Sequence, residues 1–323
     1  MNEMKQKEKG LFLLCSSIVF LAAIFLLVKF IHNAEFGNVK EVELPGQVLG
    51  ATVDARGEMP FVEEVVKELP VLNEKFLVDV EAKSYMVFNL DTGQVLAEKN
   101  SETKLPIASL TKLMTGYVSY INLDFTKNYT IYPKRFWQVS PFLNIKTGDS
   151  IKAGDLFESM LIGSANDAAF ALSEAFETVT GLDFVREMNT QASLLGMKNT
   201  SFSNPAGFDS QNNFSTAKDL KVLVGKVFNI PVFNNLARKT VYSFKSETGN
   251  LYRVKATNKL IGKYSDIFAI KTGFTKSSLG SMATVLEANG KQIVIIVLDS
   301  QTREADTLNI RKAILEALGA SGQ

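Results

Sequence analysis

Two strand-forming regions enclose a helix-forming region in this chain. Ser84 to Leu90 and Gln94 to Ala97 flank Asp91-Thr92-Gly93, a pattern that predicts a β-hairpin with the glycine in its turn. Farther along, Ile293 to Val297 is a continuous apolar run, typical of a buried strand. Strand patterns in the second half of the chain occur at Thr240–Lys245, Leu251–Lys255, Asp266–Thr272, Ser281–Ala288 and Gln292–Leu298.

The intervening residues have the period of amphipathic helices. One pattern begins at about Ser109, and its apolar positions spread widely enough around the helix to predict burial: Leu110, Leu113, Met114, Tyr117 and Val118. Further helices are predicted at Leu156–Leu161, Asp167–Phe176, Asp183–Leu195 and Thr216–Phe228, and from about Glu304. Thr216 and Asp219 have the spacing of a capping box. This order predicts an α/β (α+β) fold, in which strands from both ends form one sheet and a helical subdomain is inserted.

An apolar segment precedes these elements. Leu11 to Val28 is an uncharged run of 18 residues, long enough to cross a bilayer as a helix. Lysines at positions 5, 7 and 9 precede it, so the positive-inside bias places the N-terminus in the cytoplasm. We expect a cytoplasmic tail at residues 1–10, a transmembrane signal-anchor at 11–31, an extracytoplasmic spacer at 32–81 and a soluble domain at 82–323. A cleaved signal peptide is the alternative, although the exit from the run lacks an A-x-A-like site.

The charged and reactive residues exclude several kinds of function. Lys and Arg number 35 and Asp and Glu 34, so no global positive field favours binding to nucleic acid. The single cysteine, Cys15, and the single histidine, His32, both lie in or beside the apolar run. A Ser-His-Asp triad, a Cys-His pair or a zinc site built on these residue types cannot form in the soluble domain. We expect no metal and no cofactor, and a covalent enzyme would need lysine or a carboxylate as its base.

A serine nucleophile with a lysine base would appear as the pattern Ser-x-x-Lys. The pattern occurs at Ser101–Lys104, Ser109–Lys112 and Ser215–Lys218. The first copy runs into Leu105-Pro106, which disfavours a helix there, and the third lies at a predicted helix cap. Only Ser109 begins a buried helix, where the three-residue spacing places the Lys112 amine on the same face as the hydroxyl. Ser109 and Lys112 are therefore the predicted nucleophile and base.

Two further motifs bear on the charge of Lys112. To accept a proton Lys112 must be neutral, so its pKa must fall from about 10.4 through burial or a nearby cation. Lys-Thr-Gly occurs at Lys146–Gly148 and Lys271–Gly273, and only the second copy follows a strand. Ser-x-Asn occurs at Ser164–Asn166 and Ser210–Asn212, and only the first copy joins two apolar helices, where unpaired polar groups would be costly. We expect Lys271 to lower the pKa of Lys112 by like-charge repulsion.

Taken in order, Ser109-Leu-Thr-Lys112, Ser164-Ala-Asn166 and Lys271-Thr-Gly273 resemble the three motifs of penicillin-binding proteins and serine β-lactamases. The flanking sequences look like those of serine-type D-alanyl-D-alanine carboxypeptidases, the low-molecular-mass penicillin-binding proteins: Pro106 to Thr115, Leu161 to Ala168, Asn204 to Asp209 and Ile270 to Thr275. The resemblance covers about Glu81 to Leu318. It implies a β-lactamase/transpeptidase-like fold with an antiparallel sheet. Residues 82–323 would be a serine DD-peptidase catalytic domain on the outer side of a bacterial cell membrane.

The resemblance also implies a catalytic sequence. Ser109 would attack the carbonyl between two D-alanines of a peptidoglycan stem peptide, and Lys112 would take its proton. Ser164 would relay a proton to the leaving amine. β-Lactams would bind as inhibitors and form an adduct at Ser109.

Substrate binding is assigned by the same resemblance. Lys271 and Thr272 would hold the terminal carboxylate, and Asn166 the peptide amide. The backbone N–H groups of Ser109 and Phe274 would form the oxyanion hole, and Gly273 would also belong to the substrate-binding residues. About 50 residues follow Gly273, too few for the extra β domain and C-terminal anchor of many carboxypeptidases. The N-terminal helix would take the place of that anchor.

Three alternatives share these motifs. An endopeptidase or transpeptidase acting on cross-linked peptidoglycan is not separable by sequence from a carboxypeptidase. A class A β-lactamase places a deacylating glutamate downstream of the middle motif, and no glutamate occurs between Met197 and Lys218. An inactive cell-wall-binding module would keep the cleft without turnover, yet every expected catalytic side chain is present. A carboxypeptidase is therefore the leading hypothesis.

Overall fold

Strands from both ends of the predicted catalytic domain meet in one antiparallel sheet. The structure is a computed structural model that describes residues 69–72, 80–134 and 139–319. In that part of the chain, β1 (Ser84–Asn89) and β2 (Val95–Lys99) form the predicted hairpin. The sheet continues from β1 through β9 (Lys291–Ser300), β8 (Leu279–Ala288) and β7 (Ile267–Thr275). All these pairings are antiparallel, which confirms the predicted sheet built from distant parts of the sequence.

Alternate residues of β9 enter two different hydrophobic cores. Val294, Ile296 and Leu298 pack beneath the helical subdomain, whereas the residues between them face α7 (Arg303–Ala317), the last helix. Successive side chains of a strand point to opposite faces, so a strand covered on both faces needs a continuous apolar run. This is the physical reason for the pattern at residues 293–297.

The helical subdomain contains the predicted helices; two are longer than predicted, and the other three begin one or two residues later than predicted. They are α1 (Thr111–Asn122), α2 (Ala153–Gly163), α3 (Asn166–Thr180), α4 (Phe184–Leu194) and α5 (Ala217–Phe228). Thr216 caps α5, because its hydroxyl accepts a hydrogen bond from the Asp219 N–H at 3.0 Å. The Asp219 carboxylate does not complete a capping box; its Oδ2 accepts from the Asn199 N–H and from the Thr200 hydroxyl. The cap therefore also ties the preceding loop to the helix.

Some short elements differ from the sequence prediction. Three short elements were not predicted: β3 (Asn128–Ile131), β4 (Asp149–Lys152) and the one-turn α6 (Pro231–Asn234). Each has only four residues, which are too few to show a period. The strands β5 (Val241–Lys245) and β6 (Leu251–Lys255) occur where predicted but form a separate hairpin. The expectation that all the C-terminal strands join one sheet was therefore wrong for these two, whose outward sides are exposed rather than buried.

Most of the N-terminal prediction lies outside the described residues. This applies to the cytoplasmic tail, the transmembrane signal-anchor and residues 32–68 and 73–79 of the spacer. Leu72, within the predicted spacer, donates from its N–H to the Leu96 carbonyl at 2.8 Å and so contacts β2. Within residues 69–72, 80–134 and 139–319, no helix has the length and apolar character that crossing a membrane requires.

Candidate active site

The predicted nucleophile lies on a tight turn. A helix was expected from about Ser109, but a 3-10 turn spans Ala108–Leu110 and α1 begins at Thr111. Ala108 has a φ of +47°, a left-handed conformation that costs a residue with a side chain about 1–2 kcal/mol. Ser109 is half-buried between Ala108 and Leu110, which are both buried. The turn therefore leaves Ser109 accessible at the start of a buried helix.

Two glycines allow the backbone to pack closely against this turn. A Cβ added at Gly207 would lie 2.0 Å from the Ala108 carbonyl oxygen, and one at Gly273 would lie 2.9 Å from the Ser109 amide nitrogen. Gly207 also has a φ of +83°, which residues with a side chain rarely adopt. The loop at residues 204–208 and the strand β7 thus contact the nucleophile through their backbones.

Lys112 is fully buried, and its amine has three oxygen neighbours. Nζ lies 3.0 Å from Ser109 Oγ, 2.7 Å from Asn166 Oδ1 and 2.5 Å from the Ala206 carbonyl oxygen. A neutral amine has two N–H groups and one lone pair. The amide and carbonyl oxygens can only accept, so they take the two N–H groups and leave the lone pair for the serine hydroxyl. The three contacts therefore orient Lys112 as a base.

The surroundings of Lys112 favour its neutral form. Burial is the largest cause that holds the pKa of Lys112 well below its usual value, and the positive charge of Lys271 is the second. The carboxylate of Asp167 acts in the opposite direction and raises the pKa. The like-charge repulsion expected from the sequence is thus present, but it is secondary to the removal of the amine from water.

The middle motif joins two helices beside Lys112. Ser164 is buried and ends α2 in the left-handed conformation, with a φ of +58°, and Asn166 begins α3. The Asn166 Oδ1 accepts from Lys112, and its Nδ2 donates to the Val139 carbonyl at 2.7 Å. An amide has two hydrogens on nitrogen and two lone pairs on oxygen, so one of each remains. Asn166 can therefore hold the base while it keeps hydrogen-bonding capacity for a ligand.

Asp167 was not singled out by the sequence analysis. It is fully buried, and its carboxylate accepts from the Leu143 N–H at 2.8 Å and the Ile145 N–H at 3.2 Å. Burial is the largest cause raising the pKa of this carboxyl, and the backbone N–H groups oppose it. Asp167 ties the loop at residues 143–145 to α3 and places a negative charge near Lys112. A carboxylate within an alanine-rich, buried helix is the signal that could have identified it.

The acceptor for the second N–H of Lys112 is a backbone carbonyl. Asn204 Oδ1 accepts hydrogen bonds from three successive backbone N–H groups, those of residues 206–208, at 2.7–3.2 Å. This set of contacts bends the loop, and Ala206 points its carbonyl at Lys112. The Thr115 hydroxyl of α1 donates to the Pro205 carbonyl at 2.7 Å and ties the loop to the helix that carries the base. A backbone carbonyl acceptor has no signature in the sequence, so the contact of Ala206 with Lys112 could not be predicted. Only the Asn204 side chain, which shapes the loop, was visible as a residue type.

The third motif lies on β7. Lys271 and Thr272 are buried, and Lys271 Nζ donates to the Thr272 carbonyl at 2.9 Å. Burial, followed by the charge of Arg303, lowers the pKa of Lys271 to about 7. The Thr272 hydroxyl lies 2.6 Å from the Thr257 hydroxyl. Lys271 is therefore balanced between its charged and neutral forms near neutral pH, and an anion would favour the charged form.

Phe274 and Arg303 frame the end of this motif. Phe274 is 67% exposed, so its side chain is available to a ligand. Arg303, at the start of α7, donates from Nη1 to the Gly273 carbonyl at 2.5 Å. Two cations, Lys271 and Arg303, are thus brought close together. Sequence reasoning missed Arg303, because its contact with β7 depends on how α7 packs on the sheet.

The other copies of the motifs lie apart from this cluster. Lys104 and Lys218 are exposed, and Lys218 pairs with Glu102 at 2.5 Å. Lys146 is exposed in the loop before β4, and Ser210 and Asn212 lie in an exposed loop. The structure instead brings together Ser109, Lys112, Asn166 and the Lys271–Gly273 segment. Ser164 is placed two residues from Asn166.

This arrangement suits covalent acyl transfer. A serine hydroxyl contacts a buried amine whose pKa is lowered, which is how a lysine can activate a nucleophile. Two neighbouring cations suit a substrate that carries a carboxylate. In the part of the chain that the structure describes, no group of three or more His, Cys, Asp or Glu side chains is placed to hold a metal ion.

Comparisons with known proteins agree with this chemistry. The model of a peptidase family described as D-alanyl-D-alanine carboxypeptidase, peptidase S11, matches residues 71–302. The D-alanyl-D-alanine carboxypeptidase DacF of Bacillus subtilis is 26% identical over 239 residues, which cover 72% of this chain and 61% of DacF. A D-alanyl-D-alanine endopeptidase of Pseudomonas aeruginosa is 32% identical over 248 residues, which cover 72% of this chain and 77% of that protein. The chain spans 58–61% of the length of DacF and of the Escherichia coli carboxypeptidase DacC.

Solved structures show the same fold. The Streptomyces K15 DD-transpeptidase aligns with a TM-score of 0.68 at 25% identity, covering 73% of this chain and 98% of that one. Penicillin-binding protein D2 of Listeria monocytogenes, in a cefotaxime-bound form, aligns with a TM-score of 0.62 at 29% identity, covering 74% of this chain and 98% of that one. The expected transpeptidase-like α+β fold with an antiparallel sheet is therefore confirmed.

Proposed function

The chain belongs to the D-alanyl-D-alanine carboxypeptidase family, peptidase S11, and we propose that it is a serine-type carboxypeptidase that removes the terminal D-alanine from peptidoglycan stem peptides. One observation carries the proposal: Lys112 Nζ contacts Ser109 Oγ while Asn166 and the Ala206 carbonyl occupy its N–H groups. An amine held in this way can use its lone pair only on the serine proton.

Acylation then proceeds from these contacts. Ser109 Oγ attacks the carbonyl carbon between the two D-alanines, and its proton passes to Lys112. The tetrahedral intermediate collapses, the C–N bond breaks, and the leaving amine takes a proton that Ser164 relays. Free D-alanine departs, and the shortened peptide stays bound to Ser109 as an ester.

The developing negative charge needs backbone donors. The N–H groups of Ser109 and Phe274 are assigned to this oxyanion hole by the family resemblance. The close approach of Gly273 to the Ser109 amide supports the assignment, because it brings the backbone of β7 next to the nucleophile. Removing one such donor costs an enzyme about 3–4 kcal/mol of transition-state stabilisation.

The substrate carboxylate would be held by the third motif. Lys271, Thr272 and, by its position, Arg303 supply two cations and a hydroxyl beside Gly273. A bound carboxylate raises the pKa of Lys271 back above about 7 and keeps it charged. In the last step water attacks the ester carbonyl with Lys112 as base, and the peptide leaves with a new carboxylate while Ser109 regains its proton.

The experiment that tests the proposal has two stages. Fluorescent penicillin should label the full-length chain, and Ser109→Ala should abolish labelling without changing the melting temperature. The chain should then release free D-alanine from a pentapeptide ending in D-Ala-D-Ala. If the parent chain forms no adduct, the assignment as a serine enzyme is wrong. An adduct that turns over without peptide cleavage would indicate a β-lactamase.

An endopeptidase remains the second candidate, favoured by the 32% identity to the endopeptidase of Pseudomonas aeruginosa. Digestion of cross-linked peptidoglycan separates the two activities. If digestion yields monomeric muropeptides but the pentapeptide yields no free D-alanine, the site has endopeptidase activity. Both candidates use the same Ser109 ester.

Membrane anchoring is a separate part of the proposal. Leu11 to Val28 supports an anchor at residues 11–31, and the lysines before it support a cytoplasmic tail and an extracytoplasmic catalytic domain. The chain should stay in the membrane fraction after alkaline carbonate washing and should leave it in detergent. Recovery in the carbonate supernatant, or an N-terminus that begins after residue 31, would contradict the anchor.

A further inference from the structure

The outward face of the β5–β6 hairpin concentrates positive charge. In the antiparallel register of the two strands, the exposed side chains form the cross-strand pairs Val241–Lys255, Ser243–Arg253 and Lys245–Leu251. We call these six residues the outward face. It carries three cations and no anion.

The opposite side of the hairpin is fixed to the body of the domain. Tyr242 donates its hydroxyl to Asp155 Oδ1 at 2.5 Å, and Tyr252 donates to Asp149 Oδ2 at 2.5 Å. Val254 leaves no space for a side chain at Gly163, where an added Cβ would lie 2.4 Å from the valine Cβ. These contacts hold the hairpin in one orientation, so the outward face keeps its direction.

The charge of this region is a local feature. The whole chain is nearly neutral, yet residues 238–263 contain seven Lys or Arg residues and a single acidic residue, Glu247. Arg238 and Lys239 are paired with Glu287 and Glu158. Among the residues that the structure describes, the three cations of the outward face form no salt bridge. Like charges on one small surface repel each other, and an anionic partner would attract all three cations and offset this repulsion.

An apolar side chain lies among these cations. Leu251 is 81% exposed, the largest exposed fraction among the large apolar side chains that the structure describes, and Val241 is 38% exposed. At a bilayer surface such a side chain can enter the acyl region while lysine and arginine meet the headgroup phosphates. A hydrophilic polyanion would attract the cations but leave Leu251 in water. We infer that the outward face binds the surface of a bilayer that contains anionic phospholipid.

The test places a probe at the centre of this face. The full-length chain with Cys15→Ser and Ser243→Cys is labelled at residue 243 with an environment-sensitive fluorophore. It is reconstituted into vesicles of phosphatidylcholine, alone or with an equal part of phosphatidylglycerol. We expect a blue-shifted emission only in the anionic vesicles, reversed at about 0.5 M salt because the charges are screened.

Two triple variants, each of which removes three positive charges, separate the effect of the outward face from that of the net charge of the chain. K245Q/R253Q/K255Q should lose the blue shift. K127Q/K152Q/K198Q removes three exposed lysines elsewhere and should keep it. L251S should reduce the shift at unchanged charge. An unchanged melting temperature checks that each variant is folded, and none of these residues belongs to the catalytic cluster.

Three results would overturn the inference. The first is identical emission in neutral and anionic vesicles, and the second is an equal loss in both triple variants. The third is a blue shift in neutral vesicles when soluble polyglutamate is added, if it is as large as the shift in anionic vesicles. That result would mean that the outward face binds an acidic polymer rather than a bilayer. Each readout is independent of acylation, so it stands or falls separately from the proposed activity.

Discussion

Lys112 Nζ lies 2.7 Å from Asn166 Oδ1, and this contact joins two motifs that are 54 residues apart in the sequence. The residue after Asn166 is the buried Asp167, whose charge raises the pKa of Lys112, while Lys271 on β7 lowers it. The protonation of the base is therefore set by burial and by two charges of opposite sign. Substitutions of the two charged residues should shift it in opposite directions.

Replacing Lys271 with glutamine should move the pH dependence of acylation to higher pH. Acylation requires neutral Lys112, so its rate rises as pH passes through the pKa of Lys112. Loss of the neighbouring positive charge raises that pKa, so we expect the profile to move to higher pH. The measurement is the acylation rate of the full-length chain against pH with a neutral ester, which needs no carboxylate binding. Lys271→Arg keeps the charge and serves as the control; an unchanged profile in Lys271→Gln would exclude the coupling.

Replacing Asp167 with asparagine should move the same profile to lower pH. The negative charge that favours protonated Lys112 is removed, so the base becomes neutral at a lower pH. The variant also loses acceptor capacity for the Leu143 and Ile145 N–H groups, at a cost of about 1–3 kcal/mol in the free energy of unfolding. Asp91→Asn, at an exposed turn, should change neither quantity. A shift of the profile to higher pH would contradict the proposed role of this carboxylate.

Gly207→Ala should damage the nucleophile turn. Its Cβ would collide with the Ala108 carbonyl, and its φ of +83° is unfavourable for alanine. We expect the free energy of unfolding to fall by more than about 1 kcal/mol and penicillin labelling to slow. Gly225→Ala is the matched control, because nothing lies within 4 Å of its added Cβ in α5. In Gly225→Ala the free energy of unfolding, measured with urea, should rise by up to about 1 kcal/mol. If both variants lost the same free energy of unfolding, the steric explanation would be rejected.

The stability of the domain should rise with pH above neutrality. The pKa of Lys271 is about 7 in the folded chain but about 10.4 when unfolded, so the unfolded state binds more protons between these values. The free energy of unfolding then rises between about pH 7 and 9, by up to about 1.4 kcal/mol per pH unit for this lysine. Lys112 acts in the same direction. Urea unfolding against pH tests this, and Lys271→Met should flatten the rise; a parent curve that is flat or falling would refute it.

Local patterns predicted most of the fold, because burial in this domain follows the periods of its strands and helices. The run at residues 293–297 identified a strand buried on both faces, and the period after Ser109 identified α1. Short elements such as β3 were not predicted, because only Ile131 of its four residues is buried and no period results. The separate β5–β6 hairpin was assigned to the main sheet because strand patterns do not encode which strands pair.

The site was predictable where side chains carry the chemistry and not where the backbone does. Ser109, Lys112, Asn166 and Lys271 were selected from competing motifs by local context, and the structure brings them together. The Ala206 carbonyl and the left-handed Ala108 leave no residue-type signal. Arg303 reaches the site only through tertiary packing, 30 residues after the Gly273 carbonyl that it contacts.

The pairing of β1 with β9 bears on how the domain acquires its reactivity during folding. β1 lies between β2 and β9, so the centre of the sheet cannot close until residues 291–300 have been made and have returned to residues 84–89. Such non-local pairing is slow, because a long loop must close before its contacts form. Lys112 also stays hydrated and charged until the core has excluded water. On the proposed mechanism, Ser109 of a growing chain therefore has no neutral base beside it, and it gains one only after β9 has joined the sheet.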